Sequence, residues 1–216
     1  MPRSPPPGRV WSAARTATLA EASRYLAFAT RALAPPPPRL VAIGGLSGTG
    51  KSALAAALAP RLGGPPGAVT VRSDVERKLL AGASETKRLP PAAYTADATA
   101  QVFARVAGRA ATLLGAGMAV ICDAVYAQPA QRAAIAAVAR AAGVGFTGLW
   151  LDLPLATRVA RIAGRAGDAS DADAAVARRQ ESYDVGALDW VRIDAGGSPA
   201  EVAARAAAAL GLAPAD

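Results

Sequence analysis

Short runs of apolar residues alternate with amphipathic segments along most of the chain. Five of these runs are rich in Val, Ile and Leu and have the length of buried strands. They predict strands at residues 40–44, 68–72, 119–123, 146–151 and 191–194. The segments between them predict helices at residues 51–61, 74–81, 93–114, 129–142, 155–163, 174–183 and 198–210. This alternation predicts an α/β fold in which a five-stranded parallel sheet carries helices on both faces.

The first 38 residues follow a different pattern from the rest. Residues 1–9 are rich in proline, and we expect them to be disordered or polyproline-like. Residues 10–34 predict one amphipathic helix, because Leu19, Leu26 and Leu33 recur on one face. Four consecutive prolines then end the helix and form a stiff spacer. The predicted organisation is a tail at 1–9, a helix with its spacer at 10–38 and a main domain at 39–213.

A glycine-rich segment follows the first predicted strand of the main domain and matches the pattern G-x-x-x-x-G-K-S without a mismatch. Its glycines let backbone N–H groups converge on an anion, and the following helix N-terminus adds positive potential. We expect Lys51 to reach the β- and γ-phosphates of ATP and the Ser52 hydroxyl to bind Mg²⁺. The pattern predicts a P-loop NTPase of the three-layer sandwich type; a glycine-rich turn that matches by chance is the alternative. The predicted nucleotide-binding residues are Gly45, Leu46, Ser47, Gly48, Thr49, Gly50, Lys51 and Ser52.

Acidic and basic residues follow the second and third predicted strands, at the edge of the sheet where sites of doubly wound folds lie. Asp74 is a candidate base that takes the proton of an acceptor hydroxyl, or else a helix cap. Arg77, one turn later, is a candidate ligand for an anionic acceptor, or a solvated arginine. Asp123 is a candidate for contact with Mg²⁺ or the acceptor, or for a local turn. Arg132, on the next predicted helix, is either an acceptor ligand or a surface arginine.

Three arginines recur at intervals of three and four before a polar loop at 164–171. Mobile segments that carry arginines can close over a triphosphate and neutralise developing charge. Arg158, Arg161 and Arg165 therefore predict a small lid, with Arg165 as its foremost catalytic candidate. A solvated basic stripe is the alternative interpretation.

The composition excludes several kinds of chemistry. The chain has neither histidine nor asparagine, which excludes Ser-His-Asp catalysis, histidine-ligated zinc and a guanine-selecting Asn-Lys-x-Asp element. Its single cysteine, Cys122, indicates a reducing compartment, and we expect a cytoplasmic location. No run of eighteen apolar residues predicts a membrane span.

The formal net charge of +8 suggests either a nucleic-acid partner or an arginine-rich composition without that function. Lys51, Lys78 and Lys87 are the only lysines, so arginine supplies most of the positive charge. No basic run is interleaved with aromatic residues, as a surface that stacks single-stranded bases would require. A nucleic-acid partner is therefore not favoured.

Taken together, residues 39–200 resemble the predicted small-molecule kinases of the adenylate-kinase-like P-loop superfamily. Its members include zeta toxins, chloramphenicol phosphotransferase, gluconate kinase and phage polynucleotide kinase. The resemblance rests on the segment 43–52, on Arg72-Ser73-Asp74-x-x-Arg77, on the strand ending at Asp123, and on the segment 167–172 with Arg179-Gln180 behind it.

The resemblance implies ATP as phosphoryl donor, Asp74 as the acceptor-side base with Arg77 beside it, and a lid carrying Arg161 and Arg165. Residues 10–34 resemble the last helix of an aminoglycoside-phosphotransferase-like domain that often precedes such a kinase, which implies a protein partner for this helix or packing on the kinase core. The histidine-containing substrate motifs of gluconate kinases are absent, which argues against gluconate as the acceptor.

The sequence thus predicts a Mg²⁺-dependent kinase that moves the γ-phosphoryl group of ATP to a hydroxyl of a small-molecule acceptor. Two alternatives stay open. A 5′-hydroxyl nucleic-acid kinase would use the same residues on a polymeric acceptor. A non-catalytic ATP-binding module would regulate a partner through the helix at 10–34.

Overall fold

A computed structural model of the chain describes residues 7–164 and 169–213. The chain forms two compact units, one ending at Pro36 and the other beginning at Pro37. The first unit contains helix α1 (Pro7–Leu33). This helix includes residues 7–9 of the predicted tail, because proline is tolerated in a first helical turn. The rest of the tail lies outside the described residues.

The second unit is built on a five-stranded sheet with the order β2-β3-β1-β4-β5. Every neighbouring pair of strands is parallel. This confirms the predicted α/β class, and it places β1, which leads into the glycine-rich segment, at the centre of the sheet. The strands are β1 (Arg39–Gly44), β2 (Val69–Arg72), β3 (Val120–Asp123), β4 (Gly145–Asp152) and β5 (Val191–Asp194).

Helices connect the strands, and two predicted boundaries moved because of proline. The predicted helix 51–61 is helical to Leu58 and ends in a 3₁₀ turn around Pro60. The helix predicted from residue 93 begins after Pro90 and Pro91, with Thr95 as its cap. The helices are α2 (Lys51–Leu58), α3 (Ser73–Leu80), α4 (Ala96–Gly115), α5 (Pro129–Ala141), α6 (Leu155–Ala163), α7 (Ala174–Arg179) and α8 (Pro199–Ala209), with 3₁₀ turns at Ala59–Arg61, Pro91–Tyr94 and Gln180–Ser182.

Two hydrophobic cores cover the two faces of the sheet, because successive strand side chains point to opposite faces. On one face, α2 and α8 pack against Val41 and Ile43 of β1. On the other face, α4 and α5 pack against Leu40 and Ala42. The central strand is thus buried on both sides, which fixes the position of the loop that follows it.

Helix α1 exposes large apolar side chains, including Leu26 at 70% and Leu33 at 88% of their accessible surface. It carries arginines and a glutamate between them, in keeping with a surface helix. Within residues 7–164 and 169–213, no helix combines the length and the apolar character that a bilayer crossing requires.

Deletion of residues 1–36 is expected to leave the second unit intact, because that unit is compact and has two hydrophobic cores of its own. Thermal unfolding of residues 37–216 against the full chain, with MgATP binding by calorimetry, measures this. Unchanged values are expected. A melting temperature lower by more than about 4 °C would contradict it, since that corresponds to a loss of about 1 kcal/mol or more.

Candidate active site

The glycine-rich segment joins the buried end of β1 to the first turn of α2, as a phosphate loop requires. Gly50 caps α2 with a φ of 96°, a conformation that residues with a side chain rarely adopt. Inside the loop, the carbonyl of Leu46 accepts hydrogen bonds from the Thr49 hydroxyl at 2.9 Å and from Lys51 Nζ at 3.2 Å. The loop is therefore held by hydrogen bonds between its own residues, and the Lys51 side chain lies against the loop backbone at Leu46.

Ser52 and Asp123 meet at the end of the phosphate loop. The Ser52 hydroxyl donates a hydrogen bond of 2.5 Å to Oδ2 of Asp123. Asp123 is the last residue of β3, lies opposite Ile43 of β1, and is 5% exposed. A hydroxyl and a carboxylate side by side at a phosphate site are the oxygen ligands that Mg²⁺ accepts, directly or through water. The residues present therefore fit the predicted metal position.

Asp74 is the second residue of α3 and faces the same region. The residue that caps α3 is Arg72, and no side chain accepts a capping hydrogen bond there, so the helix-cap interpretation of Asp74 does not apply. Burial and the nearby charge of Asp123 raise the pKa of Asp74 above its ordinary value, against the opposing effects of Ser170, Lys51 and Arg72. A carboxylate under these constraints has a raised basicity and lies within reach of Lys51, which suits a proton acceptor.

Arg77 lies one turn after Asp74 and is 9% exposed. Its guanidinium carbon is 4.8 Å from the ring centre of Tyr94, and its Nη1 donates to the carbonyl of Ala93 at 2.6 Å. Its Nε has no hydrogen-bond partner among the described residues. Burial lowers the pKa of Arg77, although Asp74, Tyr94 and Asp171 oppose this effect. The solvated-arginine interpretation therefore does not describe Arg77.

A cavity of about 1280 Å³ joins these groups. Its lining includes residues of the phosphate loop, of α3, α4 and α7, and of the segments on either side of α7. This volume is larger than a single nucleotide-sized ligand needs, since ligand pockets typically measure about 300–1,000 Å³. The walls include Lys51, Asp74, Arg77, Tyr94, Phe103 and Tyr183.

Arg132 does not contribute to this cavity. It is 3% exposed, and its guanidinium donates to four backbone carbonyls, those of Tyr126, Ala127, Val185 and Ala187, at 2.7–2.9 Å. All of its described hydrogen bonds hold two loops together. This arrangement corrects the expectation that Arg132 binds the acceptor: both terminal nitrogens are already used for structure.

The predicted arginine stripe divides into separate roles. Arg161 donates to the carbonyls of Ala195 at 3.0 Å and Gly197 at 3.2 Å, and lies 3.4 Å from the carbonyl of Thr49. It thus stands between the phosphate loop and the loop after β5. Arg158 is buried rather than solvated. Arg165 and its predicted catalytic role lie outside the described residues.

Sequence reasoning missed three polar residues near the cavity. Lys78 is 2% exposed and pairs with Asp171 at 2.6 Å. Gln180 is 6% exposed and contacts the phosphate loop. Gln180 and Asp171 both lay in motif segments without an assigned role, whereas the pairing of Asp171 with Lys78 joins residues 93 positions apart and left no local signal.

Comparison with known proteins places this chain in a family. The sequence pattern of a family described as "AAA domain" matches residues 40–184, more than half of the chain. An uncharacterized protein of Mycobacterium tuberculosis is 32% identical over 176 residues, which cover 77% of this chain and 34% of that protein. An uncharacterized protein of Mycobacterium bovis matches to the same extent. The chain therefore spans about a third of the length of the curated relatives it matches.

Two solved structures share the fold. A gluconokinase from Sinorhizobium meliloti 1021 has a TM-score of 0.58 and 20% identity, covering 81% of this chain and 92% of its own. The APS kinase of Mycobacterium tuberculosis, in complex with AMPPNP and APS, has a TM-score of 0.58 and 20% identity, covering 82% and 99%. At these identities the likeness concerns the fold alone, and it confirms the expected α/β architecture with a five-stranded parallel sheet.

Proposed function

Because the chain belongs to the P-loop family described as an AAA domain, we propose that it is an ATP-dependent kinase that transfers the γ-phosphoryl group to a hydroxyl of a small-molecule acceptor. The observation that carries the proposal is the shared cavity. Lys51 and Ser52 of the phosphate loop, Asp123 and the carboxylate of Asp74 all line it, with room beyond them for a second substrate. The gluconokinase and APS kinase that share the fold support phosphoryl transfer to small molecules.

Each residue has a separate task in this proposal. The loop amides and Lys51 bind the phosphates and offset the charge that develops during transfer. Ser52 and Asp123 would hold Mg²⁺, which would neutralise negative charge on the phosphates. Asp74 accepts the proton of the acceptor hydroxyl, and Arg77 positions the acceptor beside it. Arg161 is proposed as a ligand of the nucleotide, because it lies beside the phosphate loop and its described hydrogen bonds leave one N–H of Nη1 unused, whereas Arg132 uses all four of its terminal N–H groups.

The proposal includes a cytoplasmic location, which fits a single buried thiol, Cys122. Burial raises the pKa of that thiol to about 12, so it is unreactive at neutral pH. A protein partner for α1 is supported by its exposed apolar side chains, of which Leu26 and Leu33 are the most exposed among those described. The relation of α1 to an aminoglycoside-phosphotransferase-like domain stays a prediction.

The test is transfer of label from γ-labelled ATP, with Mg²⁺, to pooled acceptors: sugars and nucleotide sugars, aminoglycoside and phenicol antibiotics, nucleosides, and 5′-hydroxyl oligonucleotides. Label in a small-molecule pool supports the proposal. Label only in oligonucleotides, with binding that weakens steeply with salt, supports the nucleic-acid alternative instead. ATP binding without transfer to any pool favours the regulatory module.

Lys51→Ala is expected to lower turnover about 10²–10³-fold, because it removes the preorganised positive charge that stabilises the phosphoryl group during transfer. Initial rates with the labelled acceptor measure this, and Lys87→Ala, which changes an exposed lysine in a loop, is the control. Turnover by Lys51→Ala close to that of the wild type would remove Lys51 from the proposed mechanism.

A further inference from the structure

Ser47, at the outer edge of the phosphate loop, is bound through both of its backbone polar groups. Its N–H donates a hydrogen bond of 2.7 Å to Oε1 of Gln180. Its carbonyl accepts a hydrogen bond of 3.3 Å from Nη1 of Arg158. Ser47, Arg158 and Gln180 are 8%, 1% and 6% exposed, so these bonds are shielded from water. A buried backbone N–H that loses its hydrogen-bond partner destabilises the conformation that buries it. The bond to Gln180 therefore stabilises this conformation of the loop.

The next residue of the loop, Gly48, packs directly on α6. A Cβ atom at Gly48 would lie 2.7 Å from the carbonyl oxygen of Arg158 and 2.9 Å from its Cβ, and the φ of Gly48 is +88°. The loop therefore touches α6 without space between them. The loop conformation at Ser47 and Gly48 therefore depends on the contacts that α6 and the turn Gln180–Ser182 make with these two residues.

The two side chains that hold Ser47 are joined to each other. Arg158 also donates to Oε1 of Glu181, the neighbour of Gln180, and to the carbonyl of Leu153 at 3.1 Å. Arg158 lies in α6, and Gln180 opens the 3₁₀ turn that follows α7. Gln180 itself lines the cavity, as do Arg179 and Ser182 on either side of Gln180 and Glu181. The phosphate loop is thus connected to the wall of the cavity through Gln180.

We propose that Gln180 is a positioning residue for nucleotide binding. It favours the loop conformation that the structure shows, because in that conformation the buried Ser47 N–H has Gln180 as its partner. Without Gln180 the loop populates other conformations in which this N–H reaches water, and the apparent Kd for nucleotide rises as the inverse of the fraction of loop that stays competent. The inference rests on the proposed function only in that MgATP is the ligand; it does not depend on the acceptor.

The experiment measures the dissociation constant of MgATP by isothermal titration calorimetry, without an acceptor, at a temperature where every variant is folded. Gln180→Met keeps the size of the side chain and removes the acceptor oxygen; it is expected to raise Kd on the order of 10-fold. Gln180→Ala leaves space for a water to replace that oxygen, so a smaller rise is expected. Arg178→Met, an exposed position on α7 outside the cavity, is the matched control and should bind as the wild type does.

A purely structural role would lower the melting temperature of Gln180→Met and leave its Kd within twofold of the wild type. That result would overturn the proposal, as would an equal rise of Kd in Arg178→Met. If Gln180→Met does not fold, Gln180→Ala decides: an unchanged Kd overturns the proposal and a raised Kd supports it. A raised Kd together with no phosphoryl transfer to any pool would contradict the kinase proposal alone.

Discussion

Asp74→Asn is expected to lower phosphoryl-transfer turnover by about 10²–10⁴-fold, the usual contribution of a positioned general base. The amide retains the size of the carboxylate and cannot accept the proton of the acceptor hydroxyl. The rate of label transfer at saturating ATP measures this. Asp74 shares the cavity with Lys51 and Arg77, but in this proposal it acts on the acceptor hydroxyl and not on the nucleotide. Its loss should therefore affect turnover far more than MgATP affinity.

Asp97→Asn is a matched control for this substitution. Asp97 is the second residue of α4, as Asp74 is of α3, so both carboxylates have the same relation to a helix N-terminus. Asp97 is exposed and does not line the cavity. Its substitution should leave turnover unchanged. Turnover of Asp74→Asn above about a third of the wild-type value would contradict a base role and direct attention to Asp123.

Asp74→Asn should also make the protein more stable than the wild type in buffer without nucleotide and Mg²⁺. Burial and Asp123 raise the pKa of Asp74 above its ordinary 3.8, so the folded state disfavours the ionised form that neutral pH imposes. The resulting penalty is absent below pH 3.8, grows as the pH rises through the raised pKa, and is constant above it. Asp74→Asn removes this penalty and should melt at a higher temperature than the wild type at pH 7. A lower melting temperature would show that the carboxylate stabilises the fold.

The sequence predicted the sheet and the phosphate loop because both are encoded locally. Runs of Val, Ile and Leu mark strands by composition, and the eight residues 45–52 carry their own chemistry. Local encoding is also the reason that the end of β3 correctly indicated the position of Asp123.

Residues whose partners are distant in the sequence could not be assigned in this way. Arg132 lies on a helix beside the site, and only the fold shows that carbonyls of residues 185 and 187 occupy its guanidinium. Gln180 contacts Ser47 across 133 positions. A polar side chain in an amphipathic helix looks the same whether it faces solvent, a ligand or a buried carbonyl. The acceptor side of the cavity is formed largely by such residues, so the sequence indicated it less clearly than the phosphate loop.

Asp171→Asn is expected to destabilise the fold by about 3–5 kcal/mol, because it leaves the charge of Lys78 buried without its partner. Lys78 and Asp171 have side chains only 2% and 10% exposed, and their charged atoms are 2.6 Å apart. The other oxygen of Asp171 accepts from the Leu89 N–H at 2.9 Å and the Tyr94 hydroxyl at 2.5 Å. Urea unfolding measures the change, read from the midpoint at constant slope.

The pKa of Asp171 gives the pH range of this contribution. Burial alone would raise that pKa, but hydrogen bonds from Lys78, Tyr94 and the Leu89 N–H lower it below the ordinary 3.8. A lowered pKa means that the stabilisation is fully present above pH 3.8 and is lost as the pH falls through the folded-state value. The difference between wild type and Asp171→Asn should therefore be constant near neutral pH and shrink only in acid.

Asp173→Asn is the control in the same segment, because the side chains of Asp173 and its partner Arg88 are 46% and 69% exposed and their pair should contribute little to stability. The double variant Lys78→Met with Asp171→Leu should recover much of the lost stability, since an apolar pair can replace a buried ion pair when both charges are removed. Equal effects of Asp171→Asn and Asp173→Asn would contradict the buried-pair account. A stable double variant with weakened acceptor binding would show that the pair also holds Tyr94 against Arg77 at the cavity wall.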